Sequence, residues 1–209
     1  FDRYLTDMGR EQSRVAGASY GKKELLPLFP KMLVSPAPRT VETANLFLQA
    51  ALMESEDNDA CIQKSIELVP VQDLYDKTMQ PAGSKLFAKI GYAPLRDYLG
   101  APDGQDRQVA QELLSKYAAS AMDAIYREII VQHQNSEQVT NTPSATLVIV
   151  AHAIYLPAAA LGVASSCFGT KKKDETLDVT LSTNTKEAEG YLIDLDTNEI
   201  RYLTRPSQI

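Results

Sequence analysis

Residues 145–152 read ATLVIVAH. A strand with one wet face alternates apolar and polar side chains, and this stretch does not alternate. A continuous apolar run of this length belongs to a strand covered on both faces, as in parallel sheets flanked by helices. That requirement confines the chain to folds that layer helices on a sheet. Two shorter segments read as companion strands, KMLVS (31–35) and SIELVPV (65–71). Helical patterns alternate with them. Thr6 is placed to cap a helix over Asp7–Tyr20, with Asp7 at its positive end. Ser35 reads as the cap of a second helix with Pro36 at its first position, where a missing N–H costs nothing. Val41, Ala44, Phe47 or Leu48, and Ala51 then share one face. Strands alternating with helices predict an α/β layered fold with a largely parallel sheet.

The middle of the chain reads differently. Residues 73–104 are interrupted by Pro81, Gly83, Gly91, Pro94, Pro102 and Gly104 and are expected to be irregular. Val109, Leu113, Tyr117, Ala121, Ile125 and Ile129 then recur at steps of four, the stripe of a long amphipathic helix. YLPAAALGVAS, after the apolar strand, reads as another helix, and Gly190–Leu195 and Glu199–Leu203 flank the turn residues DTN as a hairpin. No repeat and no Pro/Gly/Ser-rich linker divides the chain, so one domain over 1–209 is expected, with 77–140 as an insertion over one sheet edge.

Composition narrows the function. The chain has 209 residues, 44% apolar and 23% charged, an ordinary globular balance. A net charge of −6 argues against a nucleic-acid partner, which needs a broad basic surface, but leaves room for a cationic pocket. Lys171–Lys173, the one basic run, reads as a solvated loop. No apolar stretch approaches the length of a membrane span, and no basic-then-apolar leader is present. The chain begins at Phe1, as a processed or trimmed form would, and is expected to be soluble, intracellular or organellar after processing. Cys61 and Cys167 lie far apart, and His133 and His152 are the two histidines. That set has no metal-ligand spacing and no disulfide framework, so no metal or other cofactor is expected.

Two polar residues stand at carboxyl ends of expected strands: Arg39 after KMLVS, and His152 closing TLVIVAH. Ligands of open α/β sheets bind outside those ends. An arginine in the first helical turn adds a planar two-pronged donor to backbone N–H groups and a dipole that already favour an anion. Singly, such an arginine is more often a surface charge, and such a histidine a core residue satisfied by one hydrogen bond. Their occurrence at matching strand ends points to an anion-binding α/β domain.

Four segments, in order, resemble the histidine phosphatase superfamily, the phosphoglycerate-mutase-like enzymes. YLTDMGREQS (4–13) is similar to that family's Leu-Thr-x-x-Gly-x-x-Gln segment, and SPAPRTVETA (35–44) to its Ser-Pro-x-x-Arg-x-x-x-Thr-Ala segment. DLYD (73–76) resembles the acid-bearing segment, and LVIVAHAIYL (147–156) the strand that ends in the second active-site histidine. The resemblance implies a three-layer sandwich, a mostly parallel central sheet with helices on both faces. It implies a phosphate ester, or phosphate itself, as ligand and a phosphohistidine intermediate. By motif position Arg39 and His152 would hold phosphate oxygens, the backbone N–H of Ala153 would assist, and Asp73 or Asp76 would protonate the leaving oxygen. The attacking histidine belongs to an Arg-His-Gly motif on the first strand, upstream of the segment matched by YLTDMG. No Arg-His-Gly occurs in these 209 residues. Two expectations follow. Either this is a phosphatase or mutase whose first strand is absent from the chain, or it is an inactive phosphatase-fold subunit of a larger complex. The substrate is not legible; Tyr75, Lys85 and Arg96 are placed near the expected pocket, with surface positions the simpler expectation for each.

Overall fold

The structure is a computed structural model, and it describes residues 3–20, 31–53, 67–75, 80–136, 147–152, 154–167, 177–194, 197 and 199–204. These form a mixed α/β fold. The chain divides into two compact units. The first comprises Phe1–Tyr75, Ala124–Ala151 and Arg205–Ile209; the second comprises Asp76–Asp123 and His152–Thr204.

The first unit is built on three parallel strands, β1 (Lys31–Val34), β2 (Glu67–Pro70) and β3 (Leu147–Val150), in the order β2-β1-β3. Register is level: Val34 faces Pro70 on one side and Val150 on the other. The central strand is the driest, with Met32 and Leu33 fully buried. Helix α1 (Asp7–Ala16) is capped by Thr6, whose hydroxyl accepts from the Gly9 N–H at 3.1 Å. Its last turn continues to residue 20 in a wider, π-type coil. Helix α2 (Pro38–Met53) packs on α1 and on β1 and β3.

The start of α2 corrects an expectation. The helix begins at Pro38, not Pro36, so the second proline takes the first helical position. Ser35 is fully buried and lies three residues before the first helical position; the Ala37 carbonyl takes the first helical N–H groups, from Thr40 at 3.0 Å and Val41 at 3.1 Å. The buried stripe accordingly runs through Thr40, Ala44, Leu48 and Ala51, with Val41 only half-buried.

The second unit corrects another. The stretch expected to be irregular contains two helices, α3 (Gln80–Ile90) and α4 (Leu95–Leu99). Its prolines and glycines punctuate helices instead of preventing them. Pro81 lies in the first turn of α3, where proline is tolerated; Gly91 ends α3 at a positive φ of 75°; Pro94 and Gly100 bracket α4. Helix α5 (Gly104–Ser136) is the long amphipathic helix, and its turns from Ala124 onward belong to the first unit. In the second unit it buries Ala110, Leu113, Leu114, Tyr117 and Ala121. Steps of four overshoot a helical turn by about 40° each, so the buried face drifts off the strict i+4 row. Helix α6 (Leu156–Cys167) approaches α5 closely at Gly162, where an added Cβ would lie 3.4 Å from Ala118 Cβ and Met122 Cγ. Strands β4 (Gly190–Asp194) and β5 (Glu199–Leu203) form the expected hairpin, Gly190 facing Leu203.

Candidate functional site

The carboxyl ends of the three parallel strands finish at one level. Ser35 N–H donates to the Val150 carbonyl and Val71 N–H to the Val34 carbonyl, each at 2.9 Å. The segments leaving β1 and β2 therefore start side by side, one strand spacing apart, about 4.8 Å.

Arg39 is the second residue of α2, half-buried in its first turn. Side chains of its own helix brace this turn. The Thr40 hydroxyl donates to the Ser35 and Ala37 carbonyls, both at 2.7 Å, and the Thr43 hydroxyl donates to the Arg39 carbonyl at 2.9 Å. The first turn of α2 contains no acidic residue. Since Pro38 lacks an N–H and those of Thr40 and Val41 are taken by Ala37, the backbone offers less to an anion here than the sequence implied.

One turn later, Glu42 ties α2 to the N-terminal segment. One carboxylate oxygen accepts from the Leu5 N–H at 2.9 Å and the other from Arg10 Nε at 2.7 Å, while Arg10 Nη1 reaches Asp7 at 2.8 Å. The Arg10 hydrogen bond, then the Leu5 N–H, hold the Glu42 carboxyl below its ordinary range. Nothing in the sequence marked Glu42; its partners lie 37 and 32 residues away.

Asp73 lies in a 3₁₀ turn, Gln72–Leu74, directly after β2. Leu74 beneath it is fully buried. Tyr75, expected at the surface, is buried as well at 8% exposure, because its ring turns inward with Leu74; Lys85 and Arg96 are exposed, as expected. The Asp73 carboxylate accepts a hydrogen bond from the Arg127 guanidinium on α5. Both ends of that pair are well exposed, 60% for the arginine and 45% for the aspartate. Arg127 is the residue that sequence reasoning missed: it sits on the polar side of a long helix, 54 positions from its partner.

His152 follows β3 by two residues and opens the second unit. It is buried at 8% exposure. Its carbonyl accepts from Tyr155 N–H at 2.9 Å and Leu156 N–H at 3.1 Å, so it starts the turn into α6. The imidazole meets the Tyr155 ring edge-on at 6.2 Å, and Tyr155 stacks on Tyr117 with centroids 4.6 Å apart. This aromatic stack restrains the histidine ring. Ala153, Asp76, Cys61 and Lys171–Lys173 lie outside the described residues. Arg39 and Asp73 thus belong to the first unit and His152 to the second.

Among the described residues no group of three or more His, Cys, Asp or Glu could hold a metal ion, and no helix is long and apolar enough to cross a membrane. No known family model matches the sequence, and no curated protein shows significant similarity to it.

Proposed function

We propose that the chain is the larger part of a histidine-phosphatase-like domain that acts on a phosphate ester through a phosphohistidine. The observation that carries the reading is the placement of Arg39. A half-buried guanidinium stands in the first turn of a helix that leaves the carboxyl end of the central parallel strand. The neighbouring strand β3 runs, at the same level, into the buried His152. Phosphoryl transfer asks mainly for such positioning and charge stabilisation.

In this reading a histidine supplied upstream of Phe1 attacks phosphorus. Its N–P bond forms as the P–O ester bond breaks. Arg39 and His152 hold equatorial oxygens, with the Ala153 N–H assisting, and Asp76, or Asp73 once protonated and released from Arg127, delivers a proton to the departing oxygen. Water then attacks phosphorus, breaks the N–P bond and releases phosphate. The three-layer sandwich belongs to the same reading, with an upstream strand completing the sheet along β3. The two outer strands support this. β2 carries the protections of a true edge, exposed Glu67 and Pro70. β3 has one neighbour among the described residues, yet it is apolar at every position, and Val148, Ile149 and Val150 are only half-buried. A strand of that composition fits the interior of a sheet.

The test is turnover of a generic phosphomonoester by the complete polypeptide, including whatever precedes Phe1. Arg39→Ala should slow it by about 10²-fold or more, the loss that follows removal of one oxyanion donor. Unchanged turnover would refute the assigned role. A second reading, a phosphate-binding subunit without turnover, rests on the absence of Arg-His-Gly from these residues. Phosphate binding that depends on Arg39 in a complete protein without turnover would select it.

A further inference from the structure

We infer that helix α3 sets the orientation of the His152 imidazole through Tyr155. Tyr155 is the positioning residue, and Gly83 of α3 is the gap that its hydroxyl occupies. The consequence for turnover rests on the phosphate reading above; the orientation of the ring is measurable without it.

The turn that His152 opens holds its main chain. The His152 carbonyl accepts the N–H groups of Tyr155 and Leu156, so residue 155 returns beside residue 152, as residues three apart do on a helix. The imidazole keeps its own torsions, and the one nearest the ring is soft. A ligand oxygen needs that angle fixed, because each ring nitrogen donates or accepts along one direction in the ring plane. The Tyr155 ring stands against the imidazole at 6.2 Å with an interplanar angle of 80°. Rotation of the imidazole would drive it into that ring.

A side chain that positions another must itself be held. Tyr155 is buried, and its ring lies nearly parallel to that of buried Tyr117 on α5, 21° and 4.6 Å apart. Its far end is closed by α3. A Cβ added at Gly83 would overlap the Tyr155 hydroxyl oxygen and lie 3.3 Å from Tyr155 Cζ and 3.6 Å from Leu113 Cδ2. Gly83, Leu113, Tyr117, His152 and Tyr155 all belong to the second compact unit. Glycine inside a helix is a cost, and Gly83 has no positive φ that would require it. The tyrosine tip gives the physical reason for it. With alanine at 83 the hydroxyl must retreat by about 1 Å to reach an ordinary carbon–oxygen separation. The ring is rigid and one face is blocked by Tyr117, so the displacement passes to the edge that meets His152. Misplacement of a reacting group by about 1 Å costs on the order of 10²-fold in rate.

The test uses the complete polypeptide and two readouts: the imidazole signals of His152 in proton–nitrogen spectra, assigned by their loss in His152→Gln, and turnover of an aryl phosphomonoester. Tyr155→Phe keeps both ring contacts and should leave the signals in place and kcat within about threefold. Tyr155→Leu fills the volume without the flat ring; it should shift or broaden the His152 signals and lower kcat about tenfold or more with KM within threefold. Gly83→Ala should do the same from α3. Gly83→Ala combined with Tyr155→Phe removes the overlap and should restore both readouts, a reversal that loss of core packing would not give. The two variants carrying Tyr155→Phe keep the packed ring, so the test survives if Tyr155→Leu does not fold. His152 signals unmoved by Gly83→Ala, or moved equally whether residue 155 is tyrosine or phenylalanine, would overturn the inference. If turnover needs Arg39 and His152 but ignores Gly83→Ala and a folded Tyr155→Leu, only this inference fails. If the spectra respond as expected while the wild-type protein turns over no phosphomonoester, the positioning stands and the reading of the chain as a phosphatase fails.

Discussion

Gly17 tests whether α1 is seated on α2 as described. It closes α1 at φ −59° and ψ −49°, ordinary right-handed helix that alanine adopts without strain. By propensity alone, alanine should be better than glycine here by roughly 0.5–1 kcal/mol. The surroundings oppose this. An added Cβ would stand 2.1 Å from the Phe47 carbonyl oxygen and 2.9 Å from its carbonyl carbon and Cα. Close carbon–oxygen approaches in proteins lie near 3.3–3.6 Å, so the two helices must part by about 1 Å. The obstacle is the backbone of a 16-residue helix and cannot rotate away as a side chain would. Overpacking of this kind costs about 1–3 kcal/mol, which outweighs the propensity gain and leaves a net loss of about 1–2 kcal/mol. At a urea m-value of about 2 kcal/mol/M, the midpoint should fall by about 0.5–1 M with m unchanged. Gly9, on the same helix, is the control. Its added Cβ would meet the end of the Leu5 side chain at 3.2 Å and the Thr6 hydroxyl at 3.5 Å, and Leu5 can yield. Gly9→Ala should therefore be neutral or stabilising by up to about 1 kcal/mol. A Gly17→Ala variant as stable as Gly9→Ala would refute the close seating of α1 against Phe47.

Two further outcomes follow from buried or paired groups. Glu42→Gln should destabilise the chain at neutral pH and do so less in acid: a carboxyl whose folded pKa is depressed contributes its stabilisation above the unfolded value of about 4.3 and loses it as pH falls through the folded one. Urea midpoints for both proteins between pH 7 and pH 3 check this, and a constant gap would show that the ties to Arg10 and Leu5 do not depend on charge. Tyr117→Phe should raise stability by about 1 kcal/mol, because the Tyr117 hydroxyl is buried and has no hydrogen-bond partner among the described residues while the ring stack on Tyr155 survives the change. Thermal melts decide it, and a lowered melting temperature would mean that the hydroxyl is satisfied.

What the amino-acid order determined by itself was whatever depends on near neighbours. The apolar runs at 32–34 and 147–150 are strands because no polar position interrupts them, the stripe from Val109 is a helix because its spacing is helical, and Arg39 stands in the first turn because a proline precedes it. Even the overlooked helices α3 and α4 obey local rules: their prolines and glycines mark ends, and reading them as breaks was an error about position within a turn. The tertiary structure alone decided the partnerships. Glu42 with Leu5 and Arg10, Asp73 with Arg127, and Gly17 against Phe47 join residues 30 to 54 positions apart. No periodicity encodes such pairs, because they arise only when separate elements have packed and brought distant backbones within a few ångströms. A lone arginine is a surface charge or a ligand-binding group according to what folding places beside it.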